Sequence, residues 1–379
     1  MKSGASNTVP LVSIVTLNYN GLDFLPQLFD SLRRITYPNV EIIMVDNYSD
    51  DASVAFVEKN YPEVRVVRNP ENYMYAKGNN VGIRHAQGKY VCLLNNDVEV
   101  EPDFIEPIVA AMENNPVIAA AQPKIRGLQK RDYLEYAGAC GGYIDWLGYP
   151  FLRGRIFFTT EKDEGQYDDP APVFWASGAC LFLRREALDD VGLLDEDFVI
   201  HMEEIDLCWR LQLAGWEVVA IPQSVIYHYV GGTLDQANPR KTYWNFRNNI
   251  FLMAKNLSKR NLAKRLPIRI FLDSLAFLSE FVKGHWKNAF AVVRAYYWIF
   301  SHSFIITRNR FRTQRLRRRS DSEVLRKMYP GSIVLEYFLF KRKKFSDLLF
   351  LNRFLSRINH VNIDTHWRHK TGVQNVYEK

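Results

Sequence analysis

The sequence predicts an α/β protein in which a mostly parallel sheet is flanked by helices and followed by a helical, basic C-terminal region. Residues 11–100 alternate apolar runs of strand type with segments of helical spacing. The apolar runs are continuous, which is typical of parallel strands covered on both faces. Positive charge is concentrated after residue 260. These patterns indicate one large domain and a smaller, basic helical region.

Seven elements account for residues 11–100. In chain order they are a strand in LVSIVTL, a helix in GLDFLPQLFDSLRRI, a strand in EIIMVDN, a helix in DDASVAFVEKNY, a strand in VRVVRN, a helix in YAKGNNVGIRHAQG and a strand in YVCLLNND. Ligands of such sheets bind beyond the carboxyl ends of the strands. The residues that follow each strand are therefore the first candidates for a functional site.

The next part of the chain is less regular. An amphipathic helix is expected from about Asp103 to Asn115, followed by a loop-rich region up to about Pro172. VFWASGACLFLRREAL predicts a strand that leads into a helix, a second helix ends at Gly215, and VVAIP and SVIYHYVGGT are strand-like. Beyond about Lys255 we expect long amphipathic helices rich in Arg and Lys.

Charge and cysteine content narrow the class of protein. Residues 1–260 contain 25 Lys and Arg against 34 Asp and Glu, a net charge of −9, whereas residues 261–379 contain 24 against 8, a net of +16. The basic region is expected to face an anionic partner. Four scattered cysteines without a CxxC pair do not fit a disulfide framework or a zinc site. We expect a reducing location, no signal peptide and no transmembrane helix.

Polar residues follow the predicted parallel strands. Thr16 and Asn18 end the first strand, Asp46 ends the second, and Asn95, Asn96 and Asp97 follow the fourth. Asn and Asp are common turn formers, so any one of these residues has a simple structural explanation. Jointly they favour a nucleotide site, in which Asp97 holds Mg²⁺ or Mn²⁺ against a diphosphate.

Two further features have the chemistry that such a site needs. Glu203 and Glu204 stand at the start of a predicted helix, where the helix dipole stabilises negative charge. Either carboxylate could accept the proton of an acceptor hydroxyl as a general base, although glutamates are common at helix starts. His228 ends a predicted strand and is a candidate metal ligand beside Asp97, although a histidine between tyrosines is more often a packed core residue.

Several other enzyme classes lack their motifs. The sequence has no GxGxxG or GxxxxGK[ST] phosphate loop and no GxSxG elbow. This argues against a dinucleotide oxidoreductase, a P-loop NTPase and an α/β-hydrolase.

Six segments resemble the family 2 glycosyltransferases of the GT-A fold, and among them the rhamnosyltransferase-like bacterial members. They are VSIVTLNYNG (12–21), IIMVDNYSDD (42–51), AKGNNVGIRHAQGKYVCLLNNDVEV (76–100), WASGACLFLRREAL (175–188), LLDEDFVIHMEEIDLCWRLQLAGW (193–216) and HYVGGT (228–233). Each motif alone is weak, but their order along residues 12–233 is specific.

The resemblance implies a domain plan and an activity. Residues 1–255 would form the glycosyltransferase domain, with a nucleotide-binding part (1–100) and an acceptor part (101–255), and residues 256–379 the basic amphipathic helical region. The activity would be an inverting, metal-dependent transfer of a sugar, L-rhamnose first, from a nucleotide diphosphate to a cell-surface glycan or polyprenyl-linked acceptor. A UDP-hexose donor is the alternative.

The resemblance also assigns roles to residues. Asp46 would recognise the nucleoside with Thr16 and Asn18, Asn95-Asn96-Asp97 would be the metal-binding motif, and His228 would complete the metal site. Glu204 would be the catalytic base, with Glu203 as the other candidate. Gly178 and Ala179 would lie near the transferred sugar.

Two departures from the family pattern matter. Relatives commonly read N-x-G-F-A-G-G-N-N where this chain reads NYMYAKGNN, so Met74 and Lys77 replace glycines. Lys77 is expected either near the diphosphate or in an altered loop. Glu204 replaces the usual Asp, which leaves the choice between Glu203 and Glu204 open.

The basic tail has two explanations. RNRFRTQRLRRR between Arg308 and Arg319 contains seven arginines, which either pair with the acidic body or meet anionic headgroups while Phe290, Tyr296, Tyr297, Trp298 and Phe300 enter the bilayer surface. The second explanation predicts a cytoplasmic protein bound peripherally to the inner face of the cell membrane. A sugar-nucleotide nucleotidyltransferase and a nucleic-acid-binding protein are weaker alternatives, since no basic Gly-rich loop follows the first strand and the body is acidic.

Overall fold

The computed structural model describes residues 9–229, 238–358 and 363–364. The first elements are β1 (Val12–Asn18), α1 (Leu25–Leu32), β2 (Val40–Asp46), α2 (Ser53–Asn60), β3 (Val64–Arg68), α3 (Met74–His85), β4 (Tyr90–Leu94), β5 (Val98–Val100), α4 (Glu106–Asn114) and β6 (Ile118–Gly127). All seven elements predicted in residues 11–100 are present. Their apolar runs make them strands and helices of a buried α/β layer, as the sequence indicates.

The middle of the chain completes the sheet. Its elements are β7 (Gly142–Ile144), β8 (Pro150–Leu152), β9 (Arg155–Ile156), β10 (Thr159–Thr160), β11 (Ala171–Pro172), β12 (Cys180–Arg184), α5 (Arg185–Val191), α6 (Glu203–Leu213) and β13 (Glu217–His228). The two strand-like runs predicted at 218–227 form the single strand β13, which has an irregular register between Ile221 and Val225.

The main sheet has nine strands in the order β11-β13-β6-β12-β4-β1-β2-β3, with β5 paired to β13. β3, β2, β1 and β4 are parallel, as predicted. β12 runs antiparallel between β4 and β6, so the sheet is mixed. As a result the start of β12 lies at the same edge as the carboxyl ends of β4 and β6.

Two apolar clusters cover the sheet. On one face Val15, Val45 and Leu93 pack with residues of α3, α5 and α6, and on the other Ile14 and Met44 pack with residues of α1 and α4. Successive residues of a strand face opposite sides. This explains why the parallel strands are continuously apolar in sequence.

The region predicted to be loop-rich contains more structure than expected. β6 is a strand of ten residues with both neighbours in the sheet. The connection 128–179 that leaves it contains a small second sheet of order β10-β9-β8-β7. Because β6 ends and β12 begins at one edge of the main sheet, this long connection starts and finishes above that edge.

The C-terminal region is helical, as predicted. Its helices are α7 (Pro239–Asn256), α8 (Lys259–Val282), α9 (Trp286–Ser301), α10 (Ser303–Arg315), α11 (Asp321–Leu325) and α12 (Leu351–Ile358). Short 3₁₀ or π turns occur at Glu196–Phe198, Leu335–Leu339 and Phe345–Asp347. The chain after α10 returns to the body, where Tyr329, Phe345 and Phe354 join one of the apolar clusters.

The arginines of the basic tail mostly bind the body. Five of the seven in residues 308–319 do so. They are Arg308 on Asp197, Arg310 on the carbonyl of Ala254, Arg317 on the carbonyl of Asn256, Arg318 on Asp190 and Arg319 on Glu217. Arg308, Arg318 and Arg319 bind carboxylates of the acidic body, as the first explanation of the tail predicts, whereas Arg310 and Arg317 bind carbonyls of α7.

No single helix of the described ranges has the length and apolarity to cross a membrane. α9 and α10 reach the required length and composition only when taken together, and they are bent by 70° relative to each other.

Candidate active site

The ends of β2 and β3 and the residues of α2 border a cleft of about 380 Å³. Asp46, Ser49 and Asn69 are among its lining residues. The backbone N–H of Ser49 donates to Oδ2 of Asp46 at 3.3 Å, while the buried Oδ1 of Asp46 has no hydrogen bond in the described part of the chain. A buried acceptor without a partner destabilises the empty protein and favours a ligand that donates an N–H to it.

A network of amides joins this cleft to the end of β4. Asn18 donates to Oγ of Ser49 at 3.3 Å, and Asn96 donates to Oδ1 of Asn18 at 2.9 Å. A Cβ on Gly21 would lie 2.3 Å from Nδ2 of Asn96, so only glycine fits there. Thr16 lies two residues before Asn18, on the same face of β1. Its side chain is fully buried, and its Oγ1 has no hydrogen-bond partner among the described residues. Thr16, Asn18, Asp46 and Asn96 are thus brought together, as predicted.

Asp97 and His228 are in contact. Nε2 of His228 lies 3.0 Å from Oδ1 of Asp97 and 3.3 Å from Nδ2 of Asn95, and Nδ1 lies 3.3 Å from Glu135. Burial opposes a charge on the imidazole, but the carboxylates of Glu135 and Asp97 outweigh it and raise the pKa of His228 to about 10. Backbone pairing of Val98 with His228 fixes this arrangement.

The donor set fits a divalent ion that takes part of its coordination from a ligand. In the described ranges no three His, Cys, Asp or Glu side chains are arranged to hold a metal by themselves. Asp97 and His228 provide a carboxylate and an imidazole side by side, and protein sites for Mg²⁺ commonly use one or two such groups plus substrate phosphates. His228 must release its proton to coordinate, because a metal competes with that proton.

Gly178 and Ala179 lie between α3 and the Asn95-Asp97 turn. The hydroxyl of Tyr75 donates to the carbonyl of Gly178 at 2.8 Å, and the N–H of Asn95 donates to the carbonyl of Ala179 at 3.0 Å. This is possible because β12 starts at the edge where β4 ends. The predicted sugar-site residues are therefore adjacent to the predicted metal ligands.

Tyr75 is a site residue that sequence reasoning missed. Burial raises the pKa of Tyr75 far above its usual value, and the nearby charges of Glu203, Glu204 and Asp97 raise it further. The phenol is therefore neutral and lies within electrostatic range of all three acids. Its place in the NYMYAKGNN motif is the signal that could have identified it.

Glu203 and Glu204 begin α6 inside the protein. Each has a buried Oε2 without a hydrogen-bond partner in the part of the chain that the structure describes. Burial raises the pKa of Glu204 to about 7. Burial and the charge of Glu204 raise the pKa of Glu203 well above its usual range. A carboxyl whose pKa lies at about 7, as that of Glu204 does, changes protonation state near neutral pH, which is the behaviour of a general base.

The segment before α6 is strained. Val199, His201 and Met202 have φ values of 69°, 69° and 72°. The N–H of Ile200 donates to the carbonyl of Phe198 at 2.8 Å, which closes a γ-turn of the rare positive-φ kind around Val199. Such conformations cost about 1–3 kcal/mol each and persist where surrounding contacts impose them. They place the first turn of α6 and both acids at the site.

Lys77 lies at the surface of this region. Its Nζ is 3.3 Å from the ring centroid of Tyr73 and 3.8 Å from Glu71. A place for Lys77 beside a diphosphate stays a prediction. Met74, the other departure from the family pattern, has a φ of 58°, a conformation that glycine adopts without steric cost. This gives a physical reason for the glycine that relatives have there.

Fold and site together define a class of protein. A mixed sheet flanked by helices, with carboxylates and amides at its strand ends, has the architecture of the GT-A fold. The crystal structure of GalNAc-T7 with UDP, GalNAc and Mn²⁺ has the same fold, with a TM-score of 0.53 and 18% identity over 65% of this chain and 48% of that chain.

The sequence match covers nearly half of the chain. Residues 13–192 match the model described as Glycosyl transferase family 2.

Two curated relatives extend the match beyond that domain model. The uncharacterised protein y4gI of Sinorhizobium fredii is 28% identical over 265 residues, which are 67% of this chain and 28% of y4gI. The N-acetylglucosaminyl-diphospho-decaprenol L-rhamnosyltransferase of Mycobacterium tuberculosis is 29% identical over 237 residues, which are 58% of this chain and 76% of that enzyme. The chain therefore spans a little over a quarter of one relative and about three quarters of the other.

Proposed function

We propose that the protein is an inverting, metal-dependent glycosyltransferase that moves L-rhamnose from dTDP-rhamnose to a polyprenyl-linked or cell-surface glycan acceptor. One observation carries the proposal of catalysis at this site. Among the described residues, Glu203 and Glu204 each have a buried carboxylate oxygen without a hydrogen-bond partner, and the charges of both acids act on Tyr75, as does that of Asp97. Burial of unpartnered acids is unfavourable unless a ligand or a reaction uses them.

Each residue has a definite task in this proposal. Asp46 accepts an N–H from the nucleobase. Asp97 and His228 hold Mg²⁺ or Mn²⁺, and a bound ion neutralises charge on the leaving diphosphate. Glu204 accepts the proton of the acceptor hydroxyl as its oxygen bonds to the anomeric carbon and the bond from that carbon to the diphosphate breaks. Tyr75 and the carbonyl of Gly178 border the space for the sugar.

The donor and acceptor are proposed by likeness. The mycobacterial relative is named as an L-rhamnosyltransferase acting on N-acetylglucosaminyl-diphospho-decaprenol, and its match covers 58% of this chain. A UDP-hexose is the second candidate donor, because Asp46 accepts equally well from the N–H of uracil and of thymine.

A lipid-linked acceptor requires contact with a membrane surface, and α8 and α9 offer one. On α8 the exposed apolar side chains are Phe271, Leu275, Leu278 and Val282, and on α9 they are Trp286, Phe290, Val293, Tyr297 and Phe300. The spacing of three and four residues places each set on one helix face. Unpartnered apolar faces of this size mark interaction surfaces. We infer that this paired face rests on the inner leaflet of the cell membrane and keeps the enzyme cytoplasmic and peripheral.

This surface differs from the one that the sequence predicts. Tyr296 and Trp298 point into the protein, where Tyr296 donates to Asp273 and Trp298 packs on Arg247. Phe290, Tyr297 and Phe300 are exposed, as the platform requires. Apolar side chains, rather than the arginines that already bind the body, therefore supply most of the proposed membrane contact.

A donor screen tests the proposed function. Thermal unfolding would be followed with dTDP-rhamnose, UDP-glucose, UDP-galactose, UDP-N-acetylglucosamine and GDP-mannose, each with and without Mn²⁺. A bound donor stabilises the native state by mass action, so dTDP-rhamnose should raise the melting temperature only when Mn²⁺ is present. Asp97→Ala should abolish the rise, whereas Asp103→Ala, which changes an exposed acid, should not. A rise that survives Asp97→Ala would remove the metal role of Asp97.

Vesicle flotation of the full chain tests the membrane surface. Phe300→Ser and Tyr297→Ser change two of the most exposed side chains on α9, at 72% and 73% exposure. Together they should lower the fraction bound to vesicles that contain phosphatidylglycerol, whereas Val117→Ser on the body should not. Equal binding of all variants would exclude the paired face as the contact.

A further inference from the structure

The strained segment before α6 is fastened by one side chain of α7. Nδ2 of Asn248 donates to the carbonyls of Phe198, Ile200 and His201 at 3.0, 2.7 and 2.7 Å. Asn248 is fully buried. The two N–H bonds of this amide are therefore shared among three carbonyls of the γ-turn and the residues beside it. α6 begins at Glu203, two residues after His201.

Asn248 is in turn fixed from the C-terminal region. Nη1 of Arg247 donates to Oδ1 of Asn248 at 2.6 Å. The guanidinium of Arg247 lies 3.5 Å from the ring centroid of Trp298 on α9, and Phe251 and Trp244 lie on other sides of it at 5.4 Å. In the described ranges no carboxylate lies within 4 Å of Arg247. The aromatic rings are thus the main partners of this buried cation.

We propose that Asn248 is a positioning residue for the catalytic acids, and that Arg247 and Trp298 hold it in place. The chain of contacts runs from α9 through Trp298, Arg247 and Asn248 to the segment 198–201 and then to Glu203 and Glu204. The inference rests on the proposed function, since it assigns a task to the residues that orient the base. This role makes α7 and α9 part of the structure that positions the catalytic acids.

The positioning role of Asn248 has a kinetic consequence that a general contribution to stability does not have. Without the Asn248 amide the carbonyls of Phe198, Ile200 and His201 lose a donor, so the positive-φ segment can relax and shift the first turn of α6. A base displaced by about 1 Å loses much of its effect on rate. The cleft at Asp46 is lined by the ends of β2 and β3 and by residues of α2, whereas the hydrogen bonds of Asn248 go to Arg247 and to residues 198–201. Donor binding should therefore remain while turnover falls.

Asn248→Ala tests the proposal against a neighbouring control. Asn249 is the next residue of α7 and is equally buried. It donates to the carbonyl of Gly148 at 2.7 Å, accepts from the guanidinium of Arg269, and has a long contact of 3.6 Å to Sδ of Met202. Release of dTDP from dTDP-rhamnose with Mn²⁺ would be measured for both variants. Asn248→Ala should lower kcat at least tenfold with KM for the donor within twofold, and Asn249→Ala should leave kcat within threefold.

Trp298 supplies a second, graded test. Trp298→Phe keeps an aromatic face under Arg247 and should retain most of kcat, whereas Trp298→Leu should lower it with the donor KM unchanged. Equal kcat for both Trp298 variants, or equal losses for Asn248→Ala and Asn249→Ala, would overturn the proposal. A wild-type protein that releases no dTDP would overturn the proposed function before any variant is compared.

Discussion

Replacing Glu204 by glutamine should abolish turnover and at the same time stabilise the protein in a pH-dependent way. The amide keeps the shape of the side chain but cannot accept the acceptor's proton. Loss of a general base typically lowers rate by about 10²–10⁴-fold. Residual activity should not change with pH near neutrality, whereas the kcat of the wild type should rise with pH through about 7, the pKa of Glu204.

The stability effect follows from the same pKa. An unfolded chain ionises Glu204 above about 4.5, but burial keeps it protonated in the folded protein up to about 7. Between these values the folded state binds more protons, so the stability of the wild type falls as pH rises. A pKa difference from 4.5 to about 7 corresponds to a cost of up to about 3 kcal/mol, fully present above pH 7. Glutamine never ionises, so the Glu204→Gln substitution removes this cost.

Urea unfolding at pH 4 and pH 8 measures this effect. Glu204→Gln should equal the wild type at pH 4 and exceed it by up to about 3 kcal/mol at pH 8. Glu186→Gln is the matched control, since Glu186 stands in the first turn of α5 but is exposed, and it should match the wild type at both pH values. If Glu204→Gln were no more stable than the wild type at pH 8, Glu204 would not be held in an unfavourable environment. Full turnover in both Glu204→Gln and Glu203→Gln would refute the assignment of a general base.

Three other substitutions have definite expected results. Asp46→Asn should raise the Kd for dTDP at least tenfold by calorimetry, because a hydrogen bond to a charged acceptor contributes about 1.5–3 kcal/mol; an unchanged Kd would remove Asp46 from the nucleotide site. Gly82→Ala places a Cβ 2.2 Å from Cγ1 of Val15 and should lower the free energy of unfolding by about 1–3 kcal/mol in urea. Asp206→Ala leaves Lys255 and Arg210 buried without their shared carboxylate and should lower the free energy of unfolding by about 3–5 kcal/mol. A loss under 1 kcal/mol would show that these ion pairs do not stabilise the fold.

The elements that the sequence predicts well are those whose pattern is local. β1, β2 and β4 are uninterrupted apolar runs that end in Asn or Asp, and both the strands and the site residues at their ends can be read directly. β6 escapes this reasoning because IAAAQPKIRG is rich in alanine and contains a proline. Its position between β12 and β13, rather than its own β-propensity, makes it a strand.

The missing parts of the site depend on contacts between distant residues. Tyr75 meets the carbonyl of Gly178, and Asn248 meets carbonyls at 198, 200 and 201. No local pattern encodes such pairs, since they exist only after the sheet and α7 have packed. The direction of β12 was equally hidden, because it depends on how the connection 128–179 crosses the sheet.

The connection 128–179 is a part of the chain that can vary in length and sequence during evolution. It leaves the sheet at the end of β6 and returns at the start of β12, both at the edge above the carboxylates, while β1 to β4 and their cleft belong to a separate stretch of chain. Insertions, deletions or substitutions in the small second sheet of this connection, away from Glu135, Gly178 and Ala179, can therefore reshape the surface beside the site without changing β1 to β4. Closely related proteins should differ most in this segment when they build different glycans from the same activated sugar.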